Sequence, residues 1–414
     1  MCASCRGSLC SQTGVDVALK VIDLFCGTGG FSKGFENLGA YEVKYGIDVL
    51  PLSVDTFRLN HRAAIGVSGD IRTTRRGDVE QMTGLKAGDV DVIIGGPPCQ
   101  GFSSIRPFRS SKDDDPRNTL FEEFASHVNW FRPPVFVMEN VVGLGTHNGG
   151  NQIESIQEAF NSLGYDTDWR ILNAAHFGVP QKRERLVMIG VERGGSIQFP
   201  KPTHEGSFRT IGLAERWRML RPGEPDLLSI DRPPLPSAVT VAEAIGDLPA
   251  IGSGEVAYSY AQPPETEYQR ARRDTKLLTW HSATKHSDKM MEIIRHSGPN
   301  ISCIPKHLIS SGFSSCYSRL AADEPAVTMT VNFIHPASNK CIHPTLDRAL
   351  TPREGARLQS YDDSFQFAGT NRGQIAKQIG NAVPPLLGKA IGRAVLNILG
   401  EGISRPISDE LRAG

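Results

Sequence analysis

Cys99, Glu139, Arg183 and Arg185 are the residues of this chain best equipped for covalent or acid–base chemistry, and each stands beside a short apolar run. Cys99 follows DVIIGGPP. There Asp91 to Ile94 read as a buried strand rich in β-branched side chains, and Gly95, Gly96, Pro97 and Pro98 end it abruptly. A thiolate is a nucleophile, and the point where a strand of an α/β sheet ends is where such sheets hold ligands. On spacing alone, an inert buried cysteine is the commoner arrangement. Glu139 comes at the end of a second apolar run, Val135 to Met138, and its carboxylate faces the same ligand edge of the sheet. Arg183 and Arg185 open the stretch QKRERLVMIGV together with Gln181. Side chains alternate in extended chain, so these three share one face. A solvated strand entry reads the same way.

The elements that must position these groups alternate between strand and helix. Lys20 to Phe25 reads as a strand, Gly27, Gly29 and Gly30 as a turn, and Phe31 to Leu38 as a helix. That order holds a nucleotide-like ligand at a helix N-terminus. It falls short of the full dinucleotide fingerprint, which favours an adenosine cofactor other than NAD. The next strand, Glu42 to Ile47, ends at Asp48, about 20 residues beyond the glycines, where a ribose-binding carboxylate falls. A third ends near Asp70 and Ile71. Each aspartate alone reads equally well as a solvated cap. Arg106 to Asn118 is a polar loop beside the thiol and a candidate lid. Asp115 and Pro116 start a helix to about Trp130, and Gln152 to Leu163 is helical.

Beyond Phe199 the composition changes. Prolines punctuate a stretch of little periodicity, apart from a helix at Val241 to Ile245. Between Gln262 and Leu320, nine Lys plus Arg stand against five Asp plus Glu, with aromatics interleaved. Such a patch tracks phosphates, although an ordinary solvated lobe has the same composition. Regularity returns at Thr351, Pro352 and Glu354, a capping-box pattern, and a final helix closes Gln378 to Leu399.

Composition sets the outer bounds. With 414 residues the chain has room for two or three domains. Lys plus Arg and Asp plus Glu are both 45, so nucleic-acid affinity has to come from a local patch. No run approaches the roughly 18 apolar residues of a membrane helix, and no secretory signal opens the sequence, which points to the cytoplasm. Of eight cysteines, Cys2, Cys5 and Cys10 lie together, but nothing nearby completes a zinc box. No metal is expected, and residues 1–17 read as a disordered tail.

In order, these segments resemble the DNA (cytosine-5) methyltransferases, most closely the compact prokaryotic kind. The resemblance rests on DLFCGTGG (Asp23 to Gly30), GGPPCQGFS (Gly95 to Ser103), ENV (Glu139 to Val141) and QKRER (Gln181 to Arg185). It continues with LTPREGARLQ (Leu350 to Gln359) and QIGNAVPP (Gln378 to Pro385). It spans about Lys20 to Leu399 except the basic lobe. One departure is Tyr361-Asp362-Asp363, where the family usually has Phe-Pro-Asp.

The resemblance implies an α/β fold: a mostly parallel, doubly wound sheet of the class I S-adenosylmethionine-dependent methyltransferases, with a smaller target-recognition domain inserted. Catalytic and cofactor-binding residues would span 18–199, target recognition 200–340, and a segment returning to the catalytic domain 341–400, before a tail at 401–414. It implies Cys99 as nucleophile, Glu139 as acid, and Arg183 and Arg185 holding base and site. Phe25, Gly27, Gly29, Asp48, Asp70, Ile71, Pro97, Asn381 and Val383 would line the S-adenosylmethionine pocket. Gln100, Ser103 and Gln181 would lie toward double-stranded DNA. A monomer is expected. A separately encoded restriction endonuclease, a tRNA substrate and an inactive DNA-binding homologue stay open, although the Cys-Phe-Thr tripeptide of the tRNA-modifying branch is absent.

Overall fold

The computed structural model describes residues 18–98, 120–145, 151–206, 234–309 and 312–403. Cys99, Gln100, Ser103, the loop from Arg106 to Asn118, the two expected tails apart from their edges, and Cys2, Cys5 and Cys10 lie outside the described residues.

The apolar run at the start of the fold becomes β1 (Leu19–Leu24), and the glycine turn leads into α1 (Gly30–Glu36). Two further strand–helix steps follow: β2 (Tyr41–Asp48), α2 (Pro51–Asn60), β3 (Ile65–Ser68) and α3 (Arg76–Thr83). Next come β4 (Val92–Gly95), α4 (Leu120–Phe131), β5 (Val135–Asn140) and α5 (Asn151–Ser162). The sheet is completed by β6 (Tyr165–Asn173) and, after the two-residue β7 (Gln181–Lys182), by β8 (Glu184–Glu192).

The strand order is β3-β2-β1-β4-β5-β8-β6. β1 to β5 are parallel, while β8 runs antiparallel to both β5 and β6. Chain direction along the sheet therefore reverses course between β1 and β4. At such a switch point the neighbouring loops part and leave a crevice at the strands' carboxyl ends.

Because successive side chains alternate across a strand, the near-continuous apolar runs feed two cores. On one face Ile22, Ile93, Phe136 and Met138 pack with Phe124, Val128 and Phe160 of α4 and α5. On the other, Val21, Val92, Ile94 and Val137 pack with Phe31 and Phe35 of α1 and with Leu387, Ile391 and Val395 of a helix near the end of the described chain.

After β8 the chain builds a second packing unit from short elements: α6 (Val241–Ile245), α7 (Glu267–Arg272), α8 (Asp288–Arg295), β9 (Ser318–Arg319), β10 (Ala326–Val327) and β11 (Lys340–Ile342). It continues into α9 (Pro352–Leu358) and α10 (Arg372–Asn381), before α11 (Pro385–Ile403) returns to the sheet. One core runs from Val241 through Leu278 and Phe333 to Leu358, Phe365 and Ile379. The packing thus continues across residue 340, and the helices α9 and α10 belong to it. The expected cap forms at α9: Thr351 Oγ1 accepts from the Glu354 N–H at 3.2 Å, and Glu354 accepts from the Thr351 N–H at 2.7 Å. Arg372–Gly400 is long and apolar enough for a membrane span, but half of that window is buried, with α11 lying on α1 and the sheet.

The strand expected from Gln181 to Val191 is broken. β7 leaves the main sheet to pair with β10, and Arg183 turns inward between β7 and β8.

Candidate active site

The carboxyl ends of β1, β2, β4 and β5 meet along one edge, with Leu24 registered against both Ile47 and Gly95, and Gly95 against Met138. Since β8 runs the opposite way, its first residues reach that same edge; Glu139 is opposite Val187 and Asn140 opposite Leu186. Glu139 and Arg185 thereby become neighbours, and Arg185 Nε donates to Glu139 Oε1 at 2.7 Å. Their side chains are 13% and 15% exposed, so the pair is open to a ligand at its rim.

The backbone that leads to Cys99 is held against this pair. Gly95 has no room for a side chain, because a Cβ there would come 2.2 Å from the Leu24 carbonyl oxygen. A Cβ on Gly96 would come 3.1 Å from Glu139 Oε2. Asn140 Nδ2 donates to the Pro97 carbonyl at 2.9 Å. The chain entering the thiol's position is therefore fixed to the end of β5 by side-chain hydrogen bonding as well as by the Pro-Pro backbone.

Arg183 is placed differently from Arg185. It is buried, donating to the carbonyls of Gly380 at 3.1 Å and Met329 at 3.5 Å. Burial, then the charge of Arg185, push its guanidinium pKa down, while Glu139 opposes them, so it lies within the field of the edge pair. Gln181 is fully buried. Its amide donates to Gln359 Oε1 at 2.8 Å and the Leu358 carbonyl at 3.2 Å, and its carbonyl accepts from the Met329 N–H at 3.0 Å. All of its polar atoms are thus committed to joining β7 with α9 and the segment around Met329.

The glycine turn occupies the crevice beside β4. Phe25, Gly27 and Gly29 have positive φ of 61°, 52° and 82°. A Cβ on Gly29 would strike His61 Nε2 at 2.2 Å, whereas one on Gly27 would meet nothing within 4 Å. Gly29 is thus a packing glycine and Gly27 faces open space. His61, which no local pattern singles out, supports the turn: Nε2 lies 3.0 Å from the Gly29 carbonyl and Nδ1 2.9 Å from Glu36.

Asp48 ends β2 and closes the turn, accepting from the Gly27 N–H at 3.0 Å and the Leu50 N–H at 2.8 Å. Burial raises its carboxyl pKa, against those two hydrogen bonds. Beside it Val49 and Leu50 are 64% and 41% exposed, an apolar shelf that only solvent exposure reveals. Asp70 is gripped by Arg72, with Nε at 3.0 Å and Nη2 at 2.5 Å, and those hydrogen bonds hold its carboxyl below the usual range. Ile71 is buried in the core next to it. From the far side, Val383 brings its carbonyl oxygen to 2.5 Å from where a Gly30 Cβ would be, and Asn381 is exposed at the end of α10.

A seven-stranded sheet with one reversed strand, carrying a glycine turn after its first strand, defines the fold of the class I S-adenosylmethionine-dependent methyltransferases. The C-5 cytosine-specific DNA methylase model matches residues 19–397, and the chain belongs to that family. It transfers a methyl group to position 5 of cytosine in DNA. The type II methyltransferase M1.HphI of Haemophilus parahaemolyticus is 37% identical over 374 residues, covering 90% of this chain and 85% of that protein. The type II methyltransferase M.AgeI of Thalassovita gelatinovora is 32% identical over 432 residues, covering 90% of this chain and 97% of that protein. Among solved structures, a candidate DNA modification methyltransferase encoded within an E. coli prophage superposes with a TM-score of 0.69 at 24% identity, covering 92% of this chain and all of that one.

Proposed function

We propose that the chain methylates cytosine within one specific duplex DNA sequence, with Cys99 as the covalent nucleophile and Glu139 as its acid partner. The observation that carries this reading is the Glu139–Arg185 pair, at 2.7 Å, beside the backbone of Gly96 and Pro97. A carboxyl and a guanidinium held together at a rim can face the same ring of a substrate while the preceding strand delivers a thiol.

Carbon 5 of cytosine is too weak a nucleophile to take a methyl group unaided. The thiolate of Cys99 adds to ring carbon 6, and the electron pair of the 5,6 double bond moves toward carbon 5. Glu139 supplies a proton or hydrogen bond at ring nitrogen 3, which stabilises that electron-rich ring. Arg185 orients Glu139, and Arg183 supports both from below. After methylation a base removes the carbon-5 proton and the thiolate leaves carbon 6. A cytosine paired in a duplex is out of reach of the thiol, so the base rotates out of the stack, as bases do for methyltransferases in general. The loop from Arg106 to Asn118, Gln100 and Ser103 are assigned to the flipped base and the DNA, and Gln181 to positioning the strand entry.

The residues at the crevice fit S-adenosylmethionine. Open backbone at Gly27, a carboxylate at Asp48 and an apolar shelf at Val49 and Leu50 match a charged methionine portion, ribose hydroxyls and an adenine ring. Phe25, Gly29, Asp70, Ile71, Pro97, Asn381 and Val383 complete that wall. The cofactor supplies an electrophilic sulfonium methyl group. Residues 200–340 are assigned to reading bases in the major groove, with basic side chains on phosphates. The enzyme acts as a monomer on prokaryotic DNA in the cytoplasm, and its type II relatives suggest a separately encoded restriction endonuclease as its counterpart.

Cys99→Ala tests the mechanism. The variant is expected to bind S-adenosylmethionine yet leave bisulfite-sequenced DNA of expressing cells unmethylated. Retained methylation would sink the assignment.

A further inference from the structure

Tyr361 carries a hydroxyl at a fully buried position. That hydroxyl has a partner. Tyr361 Oη lies 2.9 Å from Thr28 Oγ1, a buried contact spanning 333 positions of sequence. A Cβ on Gly30 would come 2.5 Å from the same phenol oxygen, so the hydroxyl sits directly on the start of α1.

Thr28 is the middle residue of the turn, flanked by Gly27 and Gly29, whose φ values are 52° and 82°. Glycines on either side leave the backbone free to rotate and give it no side chain to hold. The Thr28 side chain is the handle by which this turn can be fixed. What it is fixed to is rigid. The Tyr361 ring packs on Phe365 and Phe367, with centroids 4.4 and 5.2 Å away. The preceding residue, Ser360, has a strained φ of 65° and is tied at both ends: its Oγ accepts from the Leu386 N–H at 3.1 Å, and its carbonyl accepts from Arg272 at 3.1 Å. Burial raises the phenol's pKa and keeps it protonated.

We propose that Tyr361 is a positioning residue for S-adenosylmethionine, its hydroxyl fixing the glycine turn through Thr28. The inference rests on the reading of that turn as the cofactor site. A buried hydroxyl pair contributes modestly when complete, but leaving one member without its partner costs more than replacing both by apolar groups of the same shape. Phenylalanine at 361 and valine at 28 are those replacements, so the two single variants and the double variant separate positioning from packing.

The test is calorimetric titration of S-adenosylmethionine into the full-length protein, with steady-state kinetics on duplex DNA and thermal unfolding alongside. Y361F and T28V are each expected to weaken binding by about three- to tenfold and to raise KM for the cofactor with kcat little changed. The double variant Y361F/T28V is expected to lose no more than either single variant, because all three remove the same hydrogen bond. Wild-type affinity in both single variants, even with lowered unfolding temperatures, would overturn the proposal, and so would losses that simply add in the double variant. Failure of the unmodified protein to bind S-adenosylmethionine would sink the reading of the turn and this inference with it.

Discussion

Two sets of charges occupy the same molecule under opposite conditions. At the sheet edge, Glu139 and Arg185 share one contact at 2.7 Å and keep part of their surface open. Beside the second core, Arg357 is sealed from solvent. It meets Asp363 at 2.6 and 2.7 Å, Asp247 at 3.0 Å and the Ala244 carbonyl at 2.9 Å. Arg348 similarly grips Glu354 at 2.6 and 2.8 Å and the Ile251 carbonyl at 2.7 Å. Burial raises the Glu354 carboxyl, but the charge and hydrogen bonds of Arg348 outweigh it and hold the pKa well below the usual range. Buried pairs add little net stability, because desolvation offsets attraction, yet removing one partner strands a charge. The difference teaches where each set is useful. Saturated charges fix α6 and α9 in one geometry, while the edge pair keeps part of its polar surface uncommitted.

That contrast can be broken experimentally. Glu139→Gln should reduce methyl transfer by about 10²- to 10⁴-fold while shifting unfolding free energy by no more than about 1 kcal/mol. Initial rates on duplex DNA and urea titration read the two quantities. Comparable losses of both would make the edge pair a scaffold after all. Arg357→Ala should cost about 3–5 kcal/mol of stability, since Asp247 would be left buried without its cation and Asp363 with only Arg353, at 3.6 Å. A urea midpoint close to that of the unmodified protein would remove the basis for the comparison.

Asp23 offers a finer test, because it is a buried carboxyl without an arginine. Ser32 Oγ donates to it at 2.5 Å, and burial pushes its pKa up to about 7, with Ser32 opposing and Asp48 adding. A raised carboxyl means that the folded protein keeps a proton the unfolded chain releases. Its stabilising contribution is full below the unfolded value of 3.8 and is lost as pH rises toward 7. Asp23→Asn should flatten the decline of stability across that window, by up to about 1.4 kcal/mol per pH unit. Thermal unfolding at stepped pH would show it, and an unchanged profile would contradict it.

The strand–turn–helix that opens the sheet was legible because its signals are local: an apolar run, glycines and a carboxylate at the next strand end. The α9 cap was legible for the same reason. The strand from Gln181 to Val191 was misjudged in one respect, since alternation predicts shared faces but not that Arg183 finds the Gly380 carbonyl 197 positions away. The region beyond Phe199 offered little periodicity because its core is assembled from single residues of many short elements, from Val241 to Ile379. Val49 and Leu50 look like any apolar pair in sequence; their exposure is a property of the fold. Nothing near Tyr361 announces a partner at Thr28.

The glycine turn also has a place in time. α11 lies along α1, with the Pro385 carbonyl 2.4 Å from where a Gly34 Cβ would be, and the Tyr41 hydroxyl donates to the Gly392 carbonyl across 351 positions of sequence. During synthesis, the strands that carry Asp48, Glu139 and Arg185 emerge long before this helix does. Until it arrives, one wall of the turn is missing and the apolar side of α1 is bare. The sheet is thus complete in the chain well before the helix that walls the turn, so this end of the fold is the last to be packed.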